Sequence, residues 1–121
     1  MQLDIVSVLW LGVIRHIGIR VTLPSGVAYV YANSPRQGTV RQSVAQFAGG
    51  RKVSAAPIAD QSGAPRIIRR AENLLGRPYS LFTWNCEHFV AAALGLQPES
   101  KQVALVLWAV AGAVLVSGLV K

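Results

Sequence analysis

The single cysteine of the chain, Cys86, is the residue best suited by type and position to nucleophilic chemistry. It follows Asn85, a preferred helix-capping residue, so Cys86 is predicted to open a helix. Unpaired N–H groups at a helix start favour a thiolate and lower the pKa of a cysteine. Apolar residues three, four and seven positions later place Cys86 on the buried stripe of that helix. Two interpretations follow: a sheltered thiolate nucleophile, or a small buried hydrophobic residue, which a lone cysteine more commonly is.

A cysteine nucleophile needs a base, and the chain contains only two histidines, His16 and His88. His88 lies two positions after Cys86 on the same predicted helix and therefore points about 200° away from the sulfur. We expect it to partner groups at the helix start. His16 lies on a predicted strand, and the same strand face carries Gly18, where a missing side chain lets another element approach. If that element is the Cys86 helix, thiol and imidazole meet; an ordinary satisfied histidine is the alternative.

Strands and helices that could position these residues follow from the hydrophobic pattern. Alternating and β-branched residues predict strands over residues 4–10, 15–22, 27–31 and 52–55, with a loop over 33–38. A short helix over 43–48 is predicted to end at a Gly-Gly pair, and longer helices to begin at Pro65 and after Asn85. Strands followed by helices are typical of one α+β domain with an antiparallel sheet.

The C-terminal end of the chain has a different composition. Charged residues make up 14% of the 121 residues, against roughly 25% in ordinary soluble domains. Residues 103–120 contain no charge, and their length matches a bilayer span. We therefore expect a domain over residues 1–98 and a C-terminal transmembrane anchor over 99–121, a soluble core helix being the alternative. The positive-inside rule places the basic domain on the cytoplasmic side, and a small-residue stripe in the anchor suggests self-association.

The charge of the chain is strongly basic. Twelve Lys and Arg stand against five Asp and Glu, which gives a net charge of +7. Because no long basic run or zinc-binding spacing occurs, an anionic membrane surface is the expected partner and nucleic acid is not. A single cysteine excludes an intrachain disulfide and indicates a reducing compartment.

The motif around Cys86 carries a family resemblance. Residues 85–90 read NCEHFV and resemble the nucleophile motif of the lecithin:retinol acyltransferase family, which includes the H-Ras-like suppressor phospholipases and bacterial and phage relatives. Residues 12–19, GVIRHIGI, resemble the catalytic-histidine strand, and the resemblance covers about residues 3–95. It implies a circularly permuted papain-like (NlpC-type) α+β domain whose antiparallel sheet packs against helices, often followed by a hydrophobic anchor.

The same resemblance implies roles for individual residues. Cys86 would be the nucleophile and His16 the general base. The family usually supplies a second histidine just after the next strand, but this sequence has Ala32 there. Asn33 is therefore expected to orient His16, since an amide can hold an imidazole tautomer, with Tyr31 in reserve.

The oxyanion hole would use the backbone N–H of Cys86, with Asn85 in support. The activity implied is a cysteine-dependent acyltransferase or phospholipase that acts on phospholipid acyl esters through a thioester on Cys86, with no metal or cofactor. One alternative is a cysteine amidase or peptidase of the papain-like superfamily. The other is a membrane-tethered interaction module that has lost activity, which the alanine at position 32 favours.

Overall fold

A computed structural model describes residues 1–10, 14–81 and 84–96 of the chain. Five antiparallel strands form one sheet in the order β4-β3-β2-β1-β5. Helices follow the first four strands, so the α+β class and the antiparallel sheet are confirmed. The elements are β1 (Gln2–Trp10), β2 (Ile14–Thr22), β3 (Ala28–Ser34), β4 (Gly38–Ser43), α1 (Val44–Ala48), β5 (Ser54–Pro57), a 3₁₀ turn (Gln61–Gly63), α2 (Ala64–Leu74) and α3 (Cys86–Ala93).

The sheet is covered on both faces. Residues of a strand alternate between faces, and in β2 the odd-numbered Ile17, Ile19 and Val21 pack against α2 and α3. We name this side the α3 face. Val6, Val8, Val30 and Ala32 point to the other side, where Phe47 of α1 covers them; we name it the α1 face.

Local signals locate the boundaries of α1 and the start of α3 correctly, whereas α2 begins at Ala64, one residue before the predicted Pro65. The Ser43 hydroxyl accepts the Gln46 backbone N–H, and the Gln46 side chain returns to the Ser43 N–H, which closes a capping box. Gly49 ends α1 with a φ of 55°, a left-handed conformation that favours glycine. Asn85 caps α3 as expected.

The predicted loop over residues 33–38 is wrong in part, because β3 continues to Ser34 and β4 begins at Gly38. The turn between them is shorter than expected. Gly38 has a φ of 70°, and a Cβ there would lie 2.6 Å from the Arg77 carbonyl oxygen. This close approach ties β4 to the segment that follows α2, where the Thr39 N–H donates to the same carbonyl.

The expected transmembrane anchor over 99–121 lies outside the described residues. Among residues 1–10, 14–81 and 84–96, the structure has no helix long and apolar enough to cross a membrane. The anchor, the cytoplasmic placement of the domain and self-association through the C-terminal segment stay predictions.

Candidate active site

The start of α3 places Cys86 in a well-defined backbone frame. The Asn85 side-chain oxygen accepts the N–H groups of Glu87 at 3.0 Å and His88 at 3.1 Å. His88 Nδ1 in turn accepts the Asn85 N–H at 3.2 Å. His88 therefore caps its own helix, which confirms its expected structural position, and its ring is committed away from the sulfur.

The sulfur of Cys86 faces a fork in the sheet. The β2–β3 ladder ends at the pair Gly18–Ala32, while β3 continues beside β4. In the described part of the chain, the first residues of β2 thus lack a β3 partner, and the start of α3 lies at this opening. Cys86 Sγ is 4.0 Å from the Arg15 carbonyl oxygen, and the Ile17 N–H is directed at the sulfur. Polar backbone groups at the edge of β2 therefore lie next to the thiol.

The electrostatics of Cys86 differ from the expectation. Burial raises the pKa of the Cys86 thiol, and the negative charge of Glu87 raises it further. The N–H groups of Ile17, Glu87 and Cys86 oppose this but do not outweigh burial. The predicted lowering of the pKa by the helix start is therefore wrong: desolvation is larger than the N–H contribution. The resting side chain is a thiol, and acyl chemistry would require a base to remove its proton.

His16 lies on the α1 face of the sheet. Its ring stacks on Trp10 at 4.2 Å between centroids and on Phe47 at 5.0 Å. The residue is 2% exposed, and burial lowers its pKa from 6.5 to about 4. Its Nδ1 has no hydrogen-bond partner among the described residues. The imidazole is neutral at physiological pH and sits in an aromatic environment.

The hydrogen bonds of the described residues include none between the Cys86 thiol and the His16 imidazole, and the pairing of the two stays a prediction. Arg15 and Ile17, whose backbone groups contact Cys86, flank His16 on β2, while the His16 ring itself packs on the α1 face. The space at Gly18 is taken by α1 rather than α3, because a Cβ there would lie 3.2 Å from the Phe47 ring. Gly18 does allow the close approach of another element, as predicted, but that element is α1.

The two residues expected to orient His16 also have other partners. Asn33 lies on the α3 face and donates from Nδ2 to the carbonyl oxygens of Trp84 at 2.7 Å and Asn85 at 3.1 Å. The Tyr31 hydroxyl donates to Glu72 at 2.9 Å. Neither side chain contacts the imidazole in the described contacts. Asn33 instead holds the segment that leads into Cys86, which makes it a support of the cysteine rather than of the histidine.

Trp84 is a part of the site that sequence reasoning missed. Its Nε1 donates to the Thr39 hydroxyl at 3.0 Å, and its backbone pairs with Ser80 through two hydrogen bonds of 2.9 Å. The Arg77 guanidinium lies 3.8 Å from the centre of a Trp84 ring. An aromatic residue two positions before the cysteine was the available signal. These contacts with Thr39, Ser80 and Arg77 fix the segment that leads into α3.

Tyr79 is a second missed neighbour. Burial raises the pKa of the Tyr79 hydroxyl, and negative charge on Cys86 and Glu87 raises it further. The hydroxyl is therefore protonated at neutral pH.

Comparison with protein families gives one match. The family model described as Lecithin retinol acyltransferase matches residues 17–95, a range that begins at the residue after His16 and contains Cys86. Searches of the curated proteins and of the solved structures found no match. A bacterial or phage type within the family stays a prediction. Because the matched range covers most of the chain and the whole of the cysteine-bearing frame, the chain belongs to the lecithin retinol acyltransferase family.

Proposed function

We propose that the chain is a cysteine-dependent acyltransferase or phospholipase in which Cys86 attacks the acyl ester of a phospholipid. The observation that carries the proposal is the position of Cys86 at the first residue of α3, facing the fork of the sheet, within the matched family domain. A circularly permuted papain-like arrangement and a membrane location through residues 99–121 belong to the same proposal.

The chemistry begins with removal of the thiol proton and attack of sulfur on the ester carbonyl carbon. The carbon–oxygen bond to the glycerol breaks, the leaving alkoxide takes up a proton, and the acyl group stays on Cys86 as a thioester. Water then releases a fatty acid, or an amine or alcohol takes the acyl group. The N–H groups of Ile17 and Cys86 lie beside the sulfur and are the available donors for the carbonyl oxygen in this scheme.

The proposal requires a general base that can reach the Cys86 thiol. For His16 to serve Cys86, the imidazole has to come within hydrogen-bond distance of the sulfur, and a rotation of its ring would give up the stacking on Trp10 and Phe47. Two aromatic contacts of about 0.5–1.5 kcal/mol each oppose this movement. The missing β3 partner at the fork and the unpaired Nδ1 favour it. Only a small fraction of the molecules would then hold the imidazole against the thiol, and the proposal predicts slow turnover.

A second function is favoured by the same geometry. Because the described contacts include no hydrogen bond between His16 and Cys86, and burial raises the pKa of the thiol, the second candidate is a membrane-tethered interaction module that retains the family fold without turnover.

One experiment separates the two functions. The full-length protein is incubated with mixed phospholipids and weighed intact by mass spectrometry. The enzyme hypothesis predicts a mass increase of one acyl group that is lost in Cys86→Ala and strongly reduced in His16→Gln. His88→Gln is the matched control, because this histidine caps α3 without facing the sulfur. An unmodified wild-type chain with no released fatty acid would support the interaction module instead.

A further inference from the structure

A cleft of about 530 Å³ opens at the far end of α3 from Cys86. It lies between β5, α2 and the residues that follow α3. None of the groups around the sulfur lines it. Eight residues of helical rise separate Cys86 from Leu94, which is about 12 Å. The cleft is therefore a separate site, and its volume is in the range of pockets that bind small ligands.

The floor and walls of the cleft are apolar. Ile5 from β1 and Ile67 from α2 form buried parts of the lining, with Ala56 of β5 beside them. Leu94 and Leu96 close the side next to α3. None of these five residues has a polar side chain. A hydrocarbon chain can therefore be buried against this surface without leaving a polar group unpaired.

The charged residues of the lining are mainly basic. Arg66 and Arg70 are one turn apart on α2 and both line the cleft, against one carboxylate, Asp60. Asp60 is engaged by the hydroxyl and N–H of Ser62. Neither arginine takes part in the ion pairs recorded for the described residues. Arg70 NH1 donates to the Ala93 carbonyl at 3.4 Å. The pKa of Asp60 is lowered by its hydrogen bonds with Ser62 and further by the charge of Arg66. Two arginines therefore face one carboxylate, and the net charge of the lining is positive. The rim attracts an anion.

We propose that this cleft binds one long acyl chain of a lipid with an anionic headgroup, the chain against Ile5 and Ile67 and the headgroup at Arg66. The position of the chain's own continuation supports a membrane lipid as the source. Leu96 lines the cleft, and the uncharged run that is expected to enter the bilayer begins seven residues later. With residues 103–120 in the bilayer, as the proposed function has it, only six residues would separate the cleft from the span, and a membrane lipid would be the nearest source of such a ligand.

Photolabelling tests the site independently of acyl chemistry. The full-length chain carries Cys86→Ala, so no thioester can form, and is placed in phosphatidylcholine nanodiscs. Photoreactive lysophosphatidic acid is the anionic probe, and photoreactive lysophosphatidylcholine of the same chain length is the zwitterionic one. We expect labelling of peptides that carry residues 56–70 and 94–96. Arg66→Gln should lower labelling by the anionic probe at least threefold relative to the zwitterionic probe.

Two further variants complete the test. Arg69→Gln removes the same charge from α2 at a residue outside the lining, and it should leave labelling unchanged. Ala56→Leu fills the cleft and should reduce labelling by both probes at least threefold; Ala59→Leu at the exposed rim replaces it if folding fails. Labelling confined to other peptides, equal effects of the two arginine variants, or labelling that persists in a folded filled variant would overturn the proposal. All of these results are independent of whether Cys86 is catalytic.

Discussion

Replacing His16 by phenylalanine tests where the imidazole lies. The substitution keeps a flat ring between Trp10 and Phe47 and removes both the titration and the unpaired Nδ1. In the native protein burial lowers the pKa of His16 to about 4, whereas the unfolded chain has a value near 6.5. Between these values the unfolded state binds a proton that the folded state does not, so stability falls as the pH is lowered.

The size of the effect follows from the two pKa values. At about 1.4 kcal/mol per pH unit, the interval from 6.5 to about 4 corresponds to about 3 kcal/mol. This contribution is fully present above pH 6.5 and is lost by pH 4. The wild-type protein should therefore lose about 3 kcal/mol more than His16→Phe between pH 8 and pH 4. Other titrating groups are common to the two proteins and cancel in the difference.

Urea unfolding of both full-length proteins in the same detergent, followed by tryptophan fluorescence across this pH range, measures the difference. Nuclear magnetic resonance of His88→Gln, which leaves a single imidazole in the chain, gives the His16 pKa directly. An imidazole that titrates near 6.5, or equal pH dependence of the two proteins, would refute the placement of His16 on the α1 face.

Further predictions concern the support of the cysteine. Asn33→Ala leaves the carbonyls of Trp84 and Asn85 without its amide, so unfolding free energy measured in urea should fall by about 1–3 kcal/mol. Trp84→Phe should cost about 1 kcal/mol, and adding Thr39→Val should restore part of it; a strictly additive double variant would contradict the hydrogen bond between them. Because burial raises its pKa, Cys86 should react with iodoacetamide at pH 8 more slowly than free cysteine, in an assay that follows mass; a faster rate would contradict the electrostatics.

The parts of the fold that sequence reasoning predicted well depend on local chemistry. Ser43 and Asn85 mark helix starts because their side chains bond N–H groups two or three residues away. The strand β2 follows from its alternation alone. The position of His88 at the cap follows from helix geometry, since two residues cannot share a helix face at that spacing.

The parts that were missed depend on which layer covers which face. Alternation shows that His16 and Gly18 share a face, but nothing local shows that α1, rather than α3, packs there. The sequence allowed Asn33 to be predicted as a functional amide. It did not allow its hydrogen-bond partner to be predicted, because that partner, Trp84, lies 51 residues away in the chain. The strand β4 was missed because most of its residues are polar and it begins at a glycine, a composition typical of a loop.

The fork in the sheet has a consequence for how the thiol becomes accessible. Its frame combines β2, the end of β3 and the residues before α3, with sequence separations of 71 residues at Arg15 and 51 at Asn33. No local segment can preserve this frame once the start of α3 detaches from the sheet. Because Cys86 is only partly buried in this frame, the thiol has a basal rate of modification, and opening of α3 should increase that rate, as local opening increases the exchange of an amide. In a ligand titration, the protection of this single sulfur would report how strongly the ligand holds the two layers of the domain together.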